Sequence, residues 1–139
     1  MYQFKAEGAF SFELGEETVE AFAAATNIPK DTDGRPVDTA VTMVVSGKIR
    51  SAADGGITDN TVQAAKWANN MDDSKSYQKI TATATAAGQV LRRTTYPNAF
   101  VVAYKESFNV QTGVGTFELK LRQKKDLLEG VQIEGGFTA

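Results

Sequence analysis

Apolar and polar residues alternate with a period of two along most of this chain, and that period predicts strands. From Phe100 to Val110 it places Val102, Tyr104, Phe108 and Val110 on one side of the pleat and Lys105, Ser107 and Asn109 on the other. Gln111 to Gly115 contains two glycines that supply the freedom a reversal needs. Thr116 to Arg122 then alternates again, with Phe117, Leu119 and Leu121 against Glu118, Lys120 and Arg122. Strand, turn and strand make a hairpin. A third short strand is expected where Val131 and Ile133 alternate with Gln132 and Glu134. An isolated hairpin is marginal in water, so the apolar side must pack on further layers.

Those layers are predicted upstream. Tyr2 to Glu7 and Phe10 to Leu14 alternate on either side of Gly8, as two strands or one strand bulged at the glycine. Thr39 to Arg50 reads as a long strand with Val41, Met43, Val45, Gly47 and Ile49 on one face. Tyr77 to Ala87 alternates threonines with Ile80, Ala82, Ala84 and Ala86. So small a face suits a place where another layer or another chain comes close. Gly88 starts a turn, Gln89 to Thr95 makes another strand, and Tyr96-Pro97-Asn98 is expected to turn into the hairpin. Glu16 to Thr26 is ambiguous: its alanines and glutamates favour helix, and the period of Val19, Ala21, Ala23 and Ala25 favours strand.

One segment reads clearly as helix, about residues 58–71. Thr58 or Asp59 can cap its start, and Ala64, Trp67, Ala68 and Met71 recur at helical spacing. Trp67 reads first as core anchorage and second as a partner contact. The pattern as a whole is mainly β: two packed antiparallel sheets forming a small barrel or sandwich, with one α-helix on the outside. With 139 residues, the chain fits a single domain over 1–139.

Composition narrows the chemistry. Hydrophobic residues make up 42% and charged residues 23%, and no apolar run approaches a bilayer span. Glutamates through residues 1–20 argue against a signal peptide and against membrane insertion. A formal charge of −2 with mixed signs gives no electrostatic footprint for nucleic acid. The chain contains neither cysteine nor histidine. Disulfides, thiolate or imidazole metal sites and every mechanism with a His base are therefore removed. The run Asp31-Thr32-Asp33-Gly34 looks like the start of a calcium loop, but lacks the Gly and Glu that would complete one. Asp72-Asp73 has no further ligand nearby in sequence. Both read as turn chemistry and surface.

Four features resemble a known family. They are Phe4-Lys5-Ala6, the loop Asp31-Thr32-Asp33-Gly34-Arg35-Pro36, the helix around Trp67, and Tyr96 to Phe108 followed by Gly115-Thr116-Phe117. Together they are similar to the haemolysin-coregulated (Hcp-like) tube proteins of type VI secretion and their phage tail-tube relatives. The resemblance implies a structural subunit with no catalytic residues, metal or cofactor. It implies six-membered rings stacked into a hollow tube for effector or cargo passage, with sheath, spike and baseplate proteins as further partners. It also implies assembly in the bacterial cytoplasm and expulsion when the machine fires. It makes Glu16 to Thr26 a strand, and the loop 27–38 an arm toward an adjacent copy with Asp31, Asp33, Gly34, Arg35 and Pro36 as contacts. Arg92-Arg93 reads as a solvated strand end or as a contact to an acidic neighbouring subunit. The alternatives are a monomeric ligand-binding β-barrel and an enzyme using carboxylates such as Glu106 or Glu118.

Overall fold

The computed structural model describes residues 1–27, 40–50 and 60–138. Nine strands follow one another: β1 (Tyr2–Glu7), β2 (Phe12–Leu14), β3 (Val19–Asn27), β4 (Ala40–Arg50), β5 (Gln78–Ala86), β6 (Gln89–Asn109), β7 (Val114–Gln123), β8 (Gln132–Glu134) and β9 (Phe137–Thr138). One helix, α1 (Thr61–Ala68), lies between β4 and β5. All pairings are antiparallel, in the order β2-β1-β5-β6-β7-β4-β3, with β8 and β9 also on β6. The mainly β architecture with one helix is as the alternation predicts.

β6 is where the structure departs most from the sequence reading. A turn is expected at Tyr96-Pro97-Asn98, but the strand runs unbroken for 21 residues. Up to Ala99 it pairs with β5 on one side. From Ala99 onward it pairs with β7 on the other. Pro97 sits at the irregularity in the β5 register, where partners pass from Tyr96 to Ala99. A proline is tolerated there because no ladder bond is asked of it. Its neighbour is served by a side chain: the Asn98 N–H donates to Gln123 Oε1 at 3.1 Å, and the Lys124 N–H donates to Asn98 O at 2.8 Å. One strand thus belongs to two layers and curls the sheet over itself.

The predicted faces of β4 and β7 are borne out. Met43, Val45, Ile49, Phe117, Leu119 and Leu121 are buried together with Phe4, Ala6, Ile80, Ala82 and Tyr96. β3 is a strand, as the family resemblance requires and as helix propensity would not. The β5–β6 connection is the two-residue turn Ala87-Gly88, both at positive φ, which matches the twist of a tight hairpin. At Gly47 a side chain is impossible without backbone movement, because a Cβ there would lie 1.8 Å from the Thr18 carbonyl oxygen. That close approach lets the Lys48 N–H reach Thr18 O at 2.8 Å and seats the bulge at the start of β3.

Three expectations need correction. The helix is shorter than 58–71; Thr58 and Asp59 lie outside the described residues, and Asn60 occupies the N-cap without a capping side-chain bond. Ala64 and Trp67 are buried as the stripe predicts, but Met71 lies beyond the last turn and is 94% exposed. The face from Val102 to Val110 is buried only in part: Tyr104 packs against the core, opposite Leu119. A bulge between Val101 and Ala103 leaves Val102 outside, and the hairpin overruns the end of the core, so Phe108 is 61% and Val110 93% exposed. Ile133 on β8 is exposed as well.

Tyr96 ties the two layers together. Its ring is buried and its hydroxyl donates to Thr42 O on β4 at 3.0 Å. Burial pushes its pKa up to about 12. An unfolded tyrosine ionises near pH 10, so the folded state prefers the neutral phenol. Its contribution is full below pH 10 and is lost as pH rises toward 12. Thermal melts of the wild type and Tyr96→Phe at pH 8, 10 and 11.5 test this. The variant should start about 1 kcal/mol less stable and lose less between pH 10 and 12. Parallel curves would show that Tyr96 does not drive the alkaline loss.

Candidate assembly surfaces

Four strands, β6 after Ala99 with β7, β4 and β3, form a sheet whose faces differ sharply. Cross-strand register fixes the outward face row by row. Ala25, Thr42, Arg122 and Phe100 make one row; Ala23, Val44, Lys120 and Ala103 the next; Ala21, Ser46, Glu118 and Lys105 the third. The alternation chosen by the core leaves this side mostly to small and polar groups, with Phe100 and Val44 as its larger apolar members. Its charges are partly matched, with Lys105 at 4.0 Å from Glu118 and Lys48 at 3.7 Å from Glu20. Lys120 and Arg122 make no ion pair among the described residues, and Arg122 Nε has no hydrogen-bond partner there.

Both long edges of this sheet are open among the described residues. β3 pairs only with β4, and β6 beyond Ala99 pairs only with β7. Such edges carry unpaired N–H and C=O groups, and isolated proteins blunt them with proline, lysine or cover. β3 reads Val-Glu-Ala-Phe-Ala-Ala-Ala-Thr-Asn and has neither proline nor lysine.

The ends of the molecule are also unlike. At one end, α1 packs Trp67 beside Phe12 with centroids 6.3 Å apart, and the indole N–H donates to Ser76 O at 2.9 Å. The β6–β7 turn projects from this end. Away from it, along the β3 edge, a hollow of about 610 Å³ opens between β3–β4 and β6–β8, lined by Phe22, Ala24, Thr26, Val41, Tyr96 and Ile133 with Arg92 beside them.

The predicted contact residues divide accordingly. Asp31, Asp33, Gly34, Arg35 and Pro36 lie outside the described residues. Arg92 is exposed at the hollow. Arg93 is held over the Phe137 ring, 5.1 Å from its centroid, and faces Glu134 across the β6–β8 pair. The sequence reading missed the hollow and the exposed Phe108 and Val110. The one signal for the latter was a valine at a turn position, where polar residues are usual.

Glu106 and Glu118 do not form a catalytic pair. Register sets Glu106 opposite Phe117 and Glu118 opposite Lys105, so they leave opposite faces of the sheet. Glu106 accepts a hydrogen bond from the Tyr104 hydroxyl at 2.6 Å. Asp72 serves its own turn: its carboxylate accepts from the Ser74 N–H and hydroxyl, which holds its pKa below the usual carboxylate range. No group of three or more carboxylates placed to hold a metal occurs among the described residues.

No protein-family model matches the chain, and no curated protein matches it in sequence. Solved structures do match over nearly its whole length. Hcp1 from Flavobacterium johnsoniae is 16% identical, with 98% of each chain covered and a TM-score of 0.54. A chain of the sheath–tube complex of the extracellular contractile injection system PVC is 14% identical, covering 97% of this chain and 88% of that one, with a TM-score of 0.53. Hcp1 from the E. coli EAEC 042 pathovar is 12% identical, covering 96% and 97%, also at 0.53. Shared by proteins so distant in sequence, the curled sheet with its bent long strand and single helix is the fold of the Hcp-like tube proteins of contractile injection machines.

Proposed function

We propose that this chain is the structural tube subunit of a contractile injection machine, with six copies closing into a ring and rings stacking into a conduit. The observation that carries this is the four-stranded sheet with two edges open among the described residues and a mostly small and polar outward face. If β3 of one copy pairs with the free edge of β6 on the next, each copy satisfies its neighbour's unpaired backbone groups. The contact joins unlike surfaces, so it must either close by rotation or run on. Six copies of four strands would give a barrel about 45–52 Å across at the backbone, from a strand spacing of about 4.8 Å and a tilt of about 35–45°. Its wall would be the rows described above, mainly Ala, Thr, Ser, Lys, Arg and Glu, with Val44 and Phe100 among them. Such a wall offers a cargo few apolar contacts to stick to.

Non-enzymatic passage of effector cargo, with sheath, spike and baseplate as neighbours, follows from this role. So do assembly in the cytoplasm and release on firing. Negative-stain images of the purified chain at high concentration test the reading. Rings with an open centre, or tubes of stacked rings, are expected. A homogeneous monomer would refute it and favour the ligand-binding barrel, whose pocket would be the apolar hollow.

A further inference from the structure

We infer that the outward face of the four-stranded sheet docks acidic polypeptide, with carboxylates of an extended segment pairing with Lys120 and Arg122 on β7. The inference rests on the tube reading and deepens it by naming the chemistry of the cargo. Three observations carry it.

The first is charge left over by the fold. Toward one end of this face the carboxylates are matched, Glu20 with Lys48 at 3.7 Å and Glu118 with Lys105 at 4.0 Å. Lys120 and Arg122 lie in the rows toward the other end, and neither makes an ion pair among the described residues. Arg122 Nε is covered from water and has no acceptor there. A desolvated donor without an acceptor is uncommon in a folded chain. The described face is thus positive by two side chains that no carboxylate of the fold neutralises.

The second is spacing. Lys120 and Arg122 are two residues apart on one strand, so they leave the same face about 7 Å apart. An extended peptide repeats its own side chains at that interval, so carboxylates at alternate positions can meet both cations in one register.

The third is what surrounds the cations. Phe100 stands opposite Arg122, and its ring meets Tyr77 edge-on with centroids 5.8 Å apart. Lys124 Nζ lies 5.2 Å from the centroid of the Tyr77 ring. Cations and aromatic rings are therefore neighbours at this end, where a peptide's apolar side chains find a surface to rest on. At the opposite end the same face carries Glu118 and Glu20. A nucleic-acid strand, charged at every unit, would run its phosphates onto those carboxylates, whereas a polypeptide can set neutral or basic side chains there. Exposed pairs of this kind are weak singly and screened by salt. Repeated around a wall by six copies, they hold a segment through many weak contacts and still let it leave.

The test mixes rings of the purified chain, verified in negative-stain images, with a fluorescein-labelled peptide of alternating Glu and Ala, and reads anisotropy. The peptide should bind, about tenfold tighter or more at about 50 mM salt than at about 500 mM. The corresponding peptide of Lys and Ala should not. Lys120→Gln combined with Arg122→Gln should abolish binding with rings intact. Lys75→Gln combined with Lys79→Gln, an equal loss of charge away from this face, should bind as the wild type does. A second measurement needs no variant: in wild-type rings, carbodiimide should join the peptide's carboxylates to the Lys120 amine. Wild-type rings that ignore the acidic peptide, or cross-links confined to other lysines, overturn the inference and leave the tube reading standing. Unchanged binding by Lys120→Gln with Arg122→Gln does the same. A thymidine oligonucleotide of equal charge that binds more tightly than the peptide also overturns it and assigns the face to nucleic acid. So does binding that appears only after Asp31→Asn and Asp33→Asn, which would give the two cations to the chain's own loop. A wild type that forms no rings overturns both this and the tube reading.

Discussion

Of two neighbouring proline substitutions on β3, Ala23→Pro and Ala24→Pro, one will abolish rings while leaving the chain folded, and the other will weaken the fold itself. Successive residues of an edge strand direct their N–H groups alternately inward to the sheet and outward from it. β3 has β4 on one side and no partner among the described residues on the other. Proline lacks the N–H and fits an edge strand only where that group faces out. The substitution on the inward donor breaks a β3–β4 bond and strands its acceptor, at about 1–3 kcal/mol. The melting temperature should fall by about 3 °C for each kcal/mol. The substitution on the outward donor removes a bond that only a neighbouring copy could make, so melting should hardly move while light scattering reports monomer. Rings formed equally by both variants would mean that β3 is not the joining edge.

Trp67→Ala should be the most damaging single truncation outside the sheet. Trp67 is 2% exposed, its ring meets Phe12, and its indole N–H donates to Ser76 O at 2.9 Å. Removing it deletes the anchor of α1 and leaves a half-buried carbonyl without its donor. Large aromatic truncations of this kind cost about 3–5 kcal/mol. Set against a typical total of about 5–15 kcal/mol, that is about a fifth of the stability or more. Denaturant unfolding should show the midpoint lowered with the slope unchanged. A loss under about 1 kcal/mol would mean that the helix is held by something other than this side chain.

The legible part of the fold was the part written in strict alternation. β4 and β7 bury the residues their period predicts, because a half-buried strand has only two faces and the core takes one. β3 shows the limit of local reading. Its alanines and glutamates suit a helix, and it is a strand because β4 lies alongside to pair with it, a non-local fact. Tyr96-Pro97-Asn98 misled for a similar reason. Proline and asparagine mark turns where the backbone lacks other partners, but here Gln123, distant in sequence, supplies the missing acceptor. The bulge at Val102 shifted the predicted apolar face by one residue, and no side chain near it announces that.

The sequence alone determined the class of molecule: a chain without cysteine or histidine, patterned in twos, that builds strands around an apolar interior and leaves little chemistry to catalyse with. Side-chain type sets those properties residue by residue, so they survive without coordinates. Only the tertiary structure decided where β6 changes partners, which edges stay unpaired among the described residues, and that a hollow opens along β3. Those depend on which distant segments meet, and pairing between distant segments is fixed by the packing of the whole chain rather than by any stretch of it.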